Sequence, residues 1–125
     1  MDNKDFVESY KQIAQRIILI SEKARREGLL SLEEMIDEKK YKERDVFEQG
    51  ILYIVDGTDA AIVDKILSNI VNQEKDESLR VLKTIQKEAV LAIQEGVNLR
   101  ILKALINSYS NFTFEEDDIL KDIDH

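Results

Sequence analysis

The sequence is 125 residues long, 43% hydrophobic and 35% charged, with a formal net charge of −8. That is the size of one domain with a modest core, and the carboxylate excess argues against general binding of DNA, RNA or anionic lipid. Cysteine is absent, which excludes disulfides and thiolate chemistry and fits a reducing cytoplasm; four glycines and no proline leave few obligatory breaks in the chain.

The first residues, MDNKDFVESY, lack the basic and apolar regions of a secretion signal. The most apolar runs, IILI at 17–20 and ILYIV at 51–55, fall far short of the ~20 residues that a membrane span requires. The chain is therefore not expected to cross a bilayer.

Residues 4–27 carry Phe6, Tyr10, Ile13, Ile17, Ile20 and Ala24 in alternating steps of four and three, the stripe of a long packed helix, widened by Val7, Ala14 and Ile18. Gly28 supplies its stop. Ser31 followed by Glu34 predicts a capping box opening a short second helix, with Leu30 and Met35 as a hydrophobic staple and DEKKYKE as its exit. A third helix is expected from about Arg44 to Val55, ended by Gly57, with Thr58 or Asp59 capping the next.

From Thr58 to Glu95 the sequence has no glycine or proline. Its apolar residues form two blocks, Ile62 to Val71 and Leu79 to Ile93, joined by the polar bridge NQEKDES at 72–78. Since nothing in the bridge breaks a helix, the spacing predicts one long helix over roughly 58–95. Gly96 ends it and Asn98 caps a last helix over Leu99–Tyr109. The expected fold is all-α, a compact domain of about five helices over 1–111, followed by an acidic C-terminal tail over 112–125.

Catalytic and metal constellations are not found. His125 is the only histidine and is terminal. VDGTDA lacks the glycine spacing and lysine of a phosphate loop, as well as the ligand spacing of an EF-hand, and reads as a turn followed by a cap. The carboxylates fall on helical faces where a solvated surface is the ordinary explanation. The sequence is not expected to be an enzyme or to need a cofactor or metal.

The stretch EKARREGLLSLEEMIDE at 22–38, together with FEQGILYIVDGTD at 47–59, resembles the cytoplasmic part of the MotA/TolQ/ExbB family, which contains the flagellar stator subunits. There a KARREGLLALE-like run follows the second membrane helix, and an LQLVVDGTDPELV segment comes after it. A second block, EAVLAIQEGVNLR at 88–100, is similar to the family's EGVLSIQAGENPR, which follows the fourth membrane helix. The family usually has proline where this chain has Leu99, which weakens the cap signal there. The likeness covers about residues 8–74 and 83–108.

In the family two membrane helices precede the first block and two more separate it from the second; NQEKDES stands at that second place here. The chain thus resembles a MotA cytoplasmic domain without its channel, either a soluble paralogue or a fusion of two cytoplasmic pieces. Met1 and the lack of a Gly/Ser linker favour the former.

The resemblance implies a protein-interaction module of the bacterial motility apparatus, cytoplasmic and at home beside the motor, whose charged residues face the rotor protein FliG. Arg25 and Glu33 match the family's charged pair, with Lys23, Arg26 and Glu34 as their neighbours. Oppositely charged surfaces at one tip would steer a charged partner helix. Helix-end electrostatics explains the same charges without a partner, each contributing ~0.3–1 kcal/mol. The family's proton path lies in its membrane helices, so no ion conduction is expected of this chain, and without those helices a monomer or weak dimer is. The alternative is a soluble adaptor or regulator that kept the fold and lost the rotor contact.

Overall fold

The first helix forms because its two ends are closed by local chemistry. The computed structural model describes residues 2–36 and 44–109. In it, α1 spans Asn3–Glu27, opened by Asp2, whose carboxylate accepts from the Asp5 N–H at 2.8 Å. Gly28 closes it at φ 88°, a conformation that side-chain-bearing residues rarely adopt, and its N–H donates to Ala24 O at 2.8 Å. The buried face of α1 is Tyr10, Ala14, Ile17, Ile18, Ile20 and Ser21, close to the stripe that the spacing predicts.

Beyond Gly28 the chain forms a 3-10 helix over Leu29–Met35, not the α-helix that a capping box would open. The Ser31 hydroxyl donates back to Gly28 O at 2.6 Å, and the 3-10 helix begins at Leu29 with no side-chain cap bond. The tight turn after α1 leaves Ser31 inside the helix. Leu32 is fully buried and Leu29 packs partly buried against the core, while Leu30 and Met35 are 75% and 43% exposed, so these two leucines, not a staple, anchor this element.

Three further helices precede the last. Asp45 caps α2 (Val46–Val55) by accepting from the Glu48 N–H at 2.8 Å, which sets the start two residues later than Arg44. A second orphan donor of that first turn, the Phe47 N–H, goes to buried Gln86 Oε1 at 3.0 Å. Gly57 at φ 81° turns the chain into α3 (Ala60–Asn72), with Asp59 at the cap position.

The long helix expected over 58–95 is instead two, α3 and α4 (Glu77–Glu95), broken at 73–76. No glycine or proline is needed for the break. Asp76 accepts from the Leu79 N–H at 3.0 Å and so starts a new helix. The Glu74 carboxylate accepts from the Asp76 N–H at 3.1 Å and pairs with Lys83 at 2.9 Å, holding the reversal closed. The two apolar blocks then face one core, where Leu67 and Val90 both reach the edge of Gly50. Gly96 in the left-handed conformation ends α4, and Asn98 caps α5 (Leu99–Asn107) by accepting from the Ile101 N–H at 2.9 Å.

The all-α reading holds: among the described residues there are helices and no strand. The exit DEKKYKE, residues 37–43, and the acidic tail 112–125 lie outside the described residues.

Directions follow from the contacts. Ile13 and Arg16 share a groove with Gln86, while Ala24 and Arg25 share a cleft with Ile93 and Val97, so α1 and α4 run the same way. α3 runs against α4, since Glu74 meets Lys83 and Asp64 meets Lys87. α5 returns to the start of α1, where the buried Tyr10 hydroxyl donates to Ile106 O at 2.6 Å. One pole of the bundle therefore gathers the start of α1, the α3–α4 reversal and the end of α5. The opposite pole gathers the end of α1, the 3-10 helix, and the turns at Gly57 and Gly96.

Candidate functional site

All five charged residues singled out in the sequence lie at that second pole, but the structure divides their roles. The Lys23 ammonium reaches across the Gly28 turn to Glu34 at 2.7 Å and along its own helix to Glu27 at 2.9 Å. Its side chain is only 15% exposed. The hydrogen bonds to Glu34 and Glu27 raise the Lys23 pKa above its usual value, and the same ammonium holds the Glu27 carboxyl below the usual carboxylate value. Lys23 and Glu34 thus pin the 3-10 helix onto α1.

Arg26 lies back along α1, its Nε donating to Glu22 O at 3.3 Å. Arg25 and Glu33 are exposed, and among the described residues neither enters an ion pair. Arg25 and Glu33 are thus exposed on elements that the Lys23–Glu34 pair holds together.

Beside Arg25 the structure opens a cleft of about 300 Å³ between the ends of α1 and α4. Its walls are mostly carbon, from Ala24, Leu29, Ile93 and Val97, with Arg25 and Gln94 contributing polar groups. Gln94 is fixed by one end of its amide, which donates from Nε2 to Thr58 O at 2.8 Å. Its Oε1 is buried and has no hydrogen-bond partner. Sequence reading missed this cleft because its walls come from segments some seventy positions apart. The only local trace is that both walls end at a glycine stop, Gly28 and Gly96.

Two other hollows carry less chemistry. One of about 400 Å³ holds Arg16, Asp45 and Gln86, but Arg16 already pairs with Asp45 at 2.7 Å and lies 5.1 Å over the Phe47 ring, a structural tie between α1 and α2. The other, about 620 Å³, lies open beside the Gly57 turn. Among the described residues no group of histidines and carboxylates comes together as a metal site would require. No helix among them is long and apolar enough to cross a membrane.

Comparison with known proteins finds similarity to Motility protein A of Treponema phagedenis, 33% identical over 87 residues, covering 70% of this chain and 32% of that protein. The chain spans about a third of the length of the curated relative it matches. No family model and no solved structure matches. The chain thus has a distant relative among motility proteins.

Proposed function

We propose that this chain is a cytoplasmic domain of the MotA/TolQ/ExbB stator family, a non-catalytic interaction module that presents Arg25 and Glu33 to the flagellar rotor protein FliG. The relative named a motility protein supports the family. The polarity of the fold supports the contact, and it is the observation that carries the reading.

In the family that the chain resembles, membrane helices stand at two points, before the first block and between the two. In the structure those points are the start of α1 and the reversal at 73–76, and both lie at one pole. Arg25 and Glu33 lie at the other, about 30 Å away at the helical rise of 1.5 Å per residue. A domain tethered at the first pole projects the second toward whatever it meets. The same arrangement explains how the domain closes without membrane helices: one tight reversal joins α3 and α4. Its work is cytoplasmic, beside the motor, without cofactor, and as a monomer or weak dimer.

Affinity for purified FliG, measured by calorimetry at several salt concentrations, tests the contact. Binding is expected to weaken steeply with salt and to fall about tenfold or more in Arg25→Glu at unchanged helicity. Binding indifferent to both salt and Arg25→Glu sinks the rotor contact, and the soluble adaptor reading takes its place.

A further inference from the structure

The seam between α1 and α5 has a basic edge in a chain whose net charge is −8. α5 carries two cations, Arg100 and Lys103, and no carboxylate. Lys103 stands one turn before Asn107, whose Oδ1 accepts from the Tyr10 hydroxyl at 3.1 Å, so Lys103 borders α1. On α1 the face bearing Ser9, Gln12 and Arg16 turns toward Asp45 and Gln86, which leaves Val7, Lys11 and Gln15 on the flank toward α5. On the outer side of α5, Ile101 is 51% exposed and Ala104 is exposed as well. The neighbouring carboxylates do not cancel this edge. Glu88 is held by Lys87 at 3.1 Å, Asp5 shares the face of Ser9 and Gln12, and Glu22 and Glu95 lie toward the opposite pole. The seam near Tyr109 thus presents Lys4, Lys11 and Lys103 against Glu8.

The sequence that follows α5 has the complementary pattern. Past Tyr109 comes the acidic block Glu115–Asp118, then Ile119, Leu120 and Ile123, with Asp122 and Asp124 among them and Lys121 as the one cation. We infer that residues 112–125 dock back along the α1–α5 seam, antiparallel to α5, with the acidic block over Lys11 and Lys103 and the apolar residues over Ile101. Length allows it. Lys103 lies about 9 Å back along α5 from Tyr109, and the six residues from Tyr109 to Glu115 reach up to about 20 Å when extended. The order fits as well: back along α5 come Lys103, Ile101 and Arg100, and forward past Tyr109 come acidic, apolar and again acidic residues. A single exposed ion pair contributes little, but attachment at Tyr109 keeps the segment at high local concentration, so several weak contacts act together. An acidic segment of another protein takes this seam only by displacing the chain's own.

The absence of cysteine lets a single spin label test this in the full chain. A nitroxide attached to Asp124→Cys broadens the amide resonances of the 15N-labelled protein that lie near it. In low-salt buffer the amides of 99–103 and of α1 around Gln15 are expected to lose most of their intensity relative to the reduced label. At ~1 M ionic strength, where the screening length is about 3 Å, that intensity is expected to return. Lys11→Glu combined with Lys103→Glu is expected to restore it too, with amide positions away from the seam reporting whether this variant keeps the fold.

Broadening that is greatest at Tyr109 and fades back along α5 is the pattern of an undocked segment and overturns the inference. So does broadening centred on another face, or broadening that ignores salt. A mixture of 15N-labelled unmodified chain with spin-labelled chain at natural abundance identifies the occupant. Broadening of the seam amides in that mixture means that the segment of a second copy sits there, and docking within one chain falls. The salt series on the one spin-labelled protein decides even if the charge-reversed variant does not fold. None of these readouts involves Arg25, Glu33 or the rotor protein, so the rotor contact stands or falls separately.

Discussion

Single residues decide how closely these helices approach. At Gly50 a Cβ would stand 2.6 Å and 2.8 Å from the two Val90 methyls and 3.0 Å from Leu67 Cδ1. Gly50→Ala is therefore expected to destabilise the fold by about 1–3 kcal/mol despite its better helix propensity, because α2 must move off α4. Urea denaturation checks this, and a stabilised variant would show that the contact relaxes. Removing the hydroxyl in Tyr10→Phe leaves the buried Ile106 carbonyl without its 2.6 Å donor and is expected to cost about 1 kcal/mol. The sequence made Tyr10 legible as core from its place in the stripe. Its partner was not, since Tyr10 and Ile106 meet only after four helices have been laid down. The same holds for Lys23, whose charge could be read but whose bond to Glu34 depends on the backbone that Gly28 permits.

At the scale of elements, propensity and capping compete, and the bridge at 72–78 shows which wins. Its residues are compatible with a helix, yet Asp76 serves the chain better as a cap because the reversal lets both apolar blocks share one core. Asp76→Ala is expected to cost about 1 kcal/mol in thermal or urea melts, through loss of its bond to the Leu79 N–H.

Charge fixes the small elements, and this gives a pH signature. Hydrogen bonding from Lys83 holds the Glu74 carboxyl below its usual value of 4.5, as that from Lys23 does for Glu27. Carboxyls depressed in the folded state stabilise it at every pH above 4.5 and lose that contribution as the pH falls through their folded values. Lys23 is raised above 10.5, so its contribution is full below that pH and fades as the pH rises through the folded value. Lys23→Met is accordingly expected to flatten both the acid and the alkaline flanks of stability against pH, in urea melts from pH 3 to 11. Unchanged flanks would mean that these pairs also persist in the unfolded chain. The Ser31–Glu34 pattern misled because the turn before it was tighter than a capping box allows. The caps at Asn98 and the stops at Gly28, Gly57 and Gly96 were legible, because each acts within a few residues.

For the whole molecule, the helix count and the apolar stripes were written locally, while the two poles were not. That the start of α1 and the α3–α4 reversal share one end is a consequence of α1 and α4 running the same way, with α3 against them. Nor could the sequence show that Arg25 borders a cleft whose far wall is Val97. What it did show, through the resemblance, was which charges to examine, and the fold then separated Lys23 and Glu34, which pair across the Gly28 turn, from Arg25 and Glu33, which enter no ion pair among the described residues.

The most direct measurement of the central claim is a titration of the 15N-labelled chain with purified FliG, followed by its amide resonances. Perturbations are expected to centre on residues 24–33 and 93–97, at the pole opposite the α3–α4 reversal. Perturbations centred on residues 73–80 and the start of α1, or none at a saturating concentration, would contradict it.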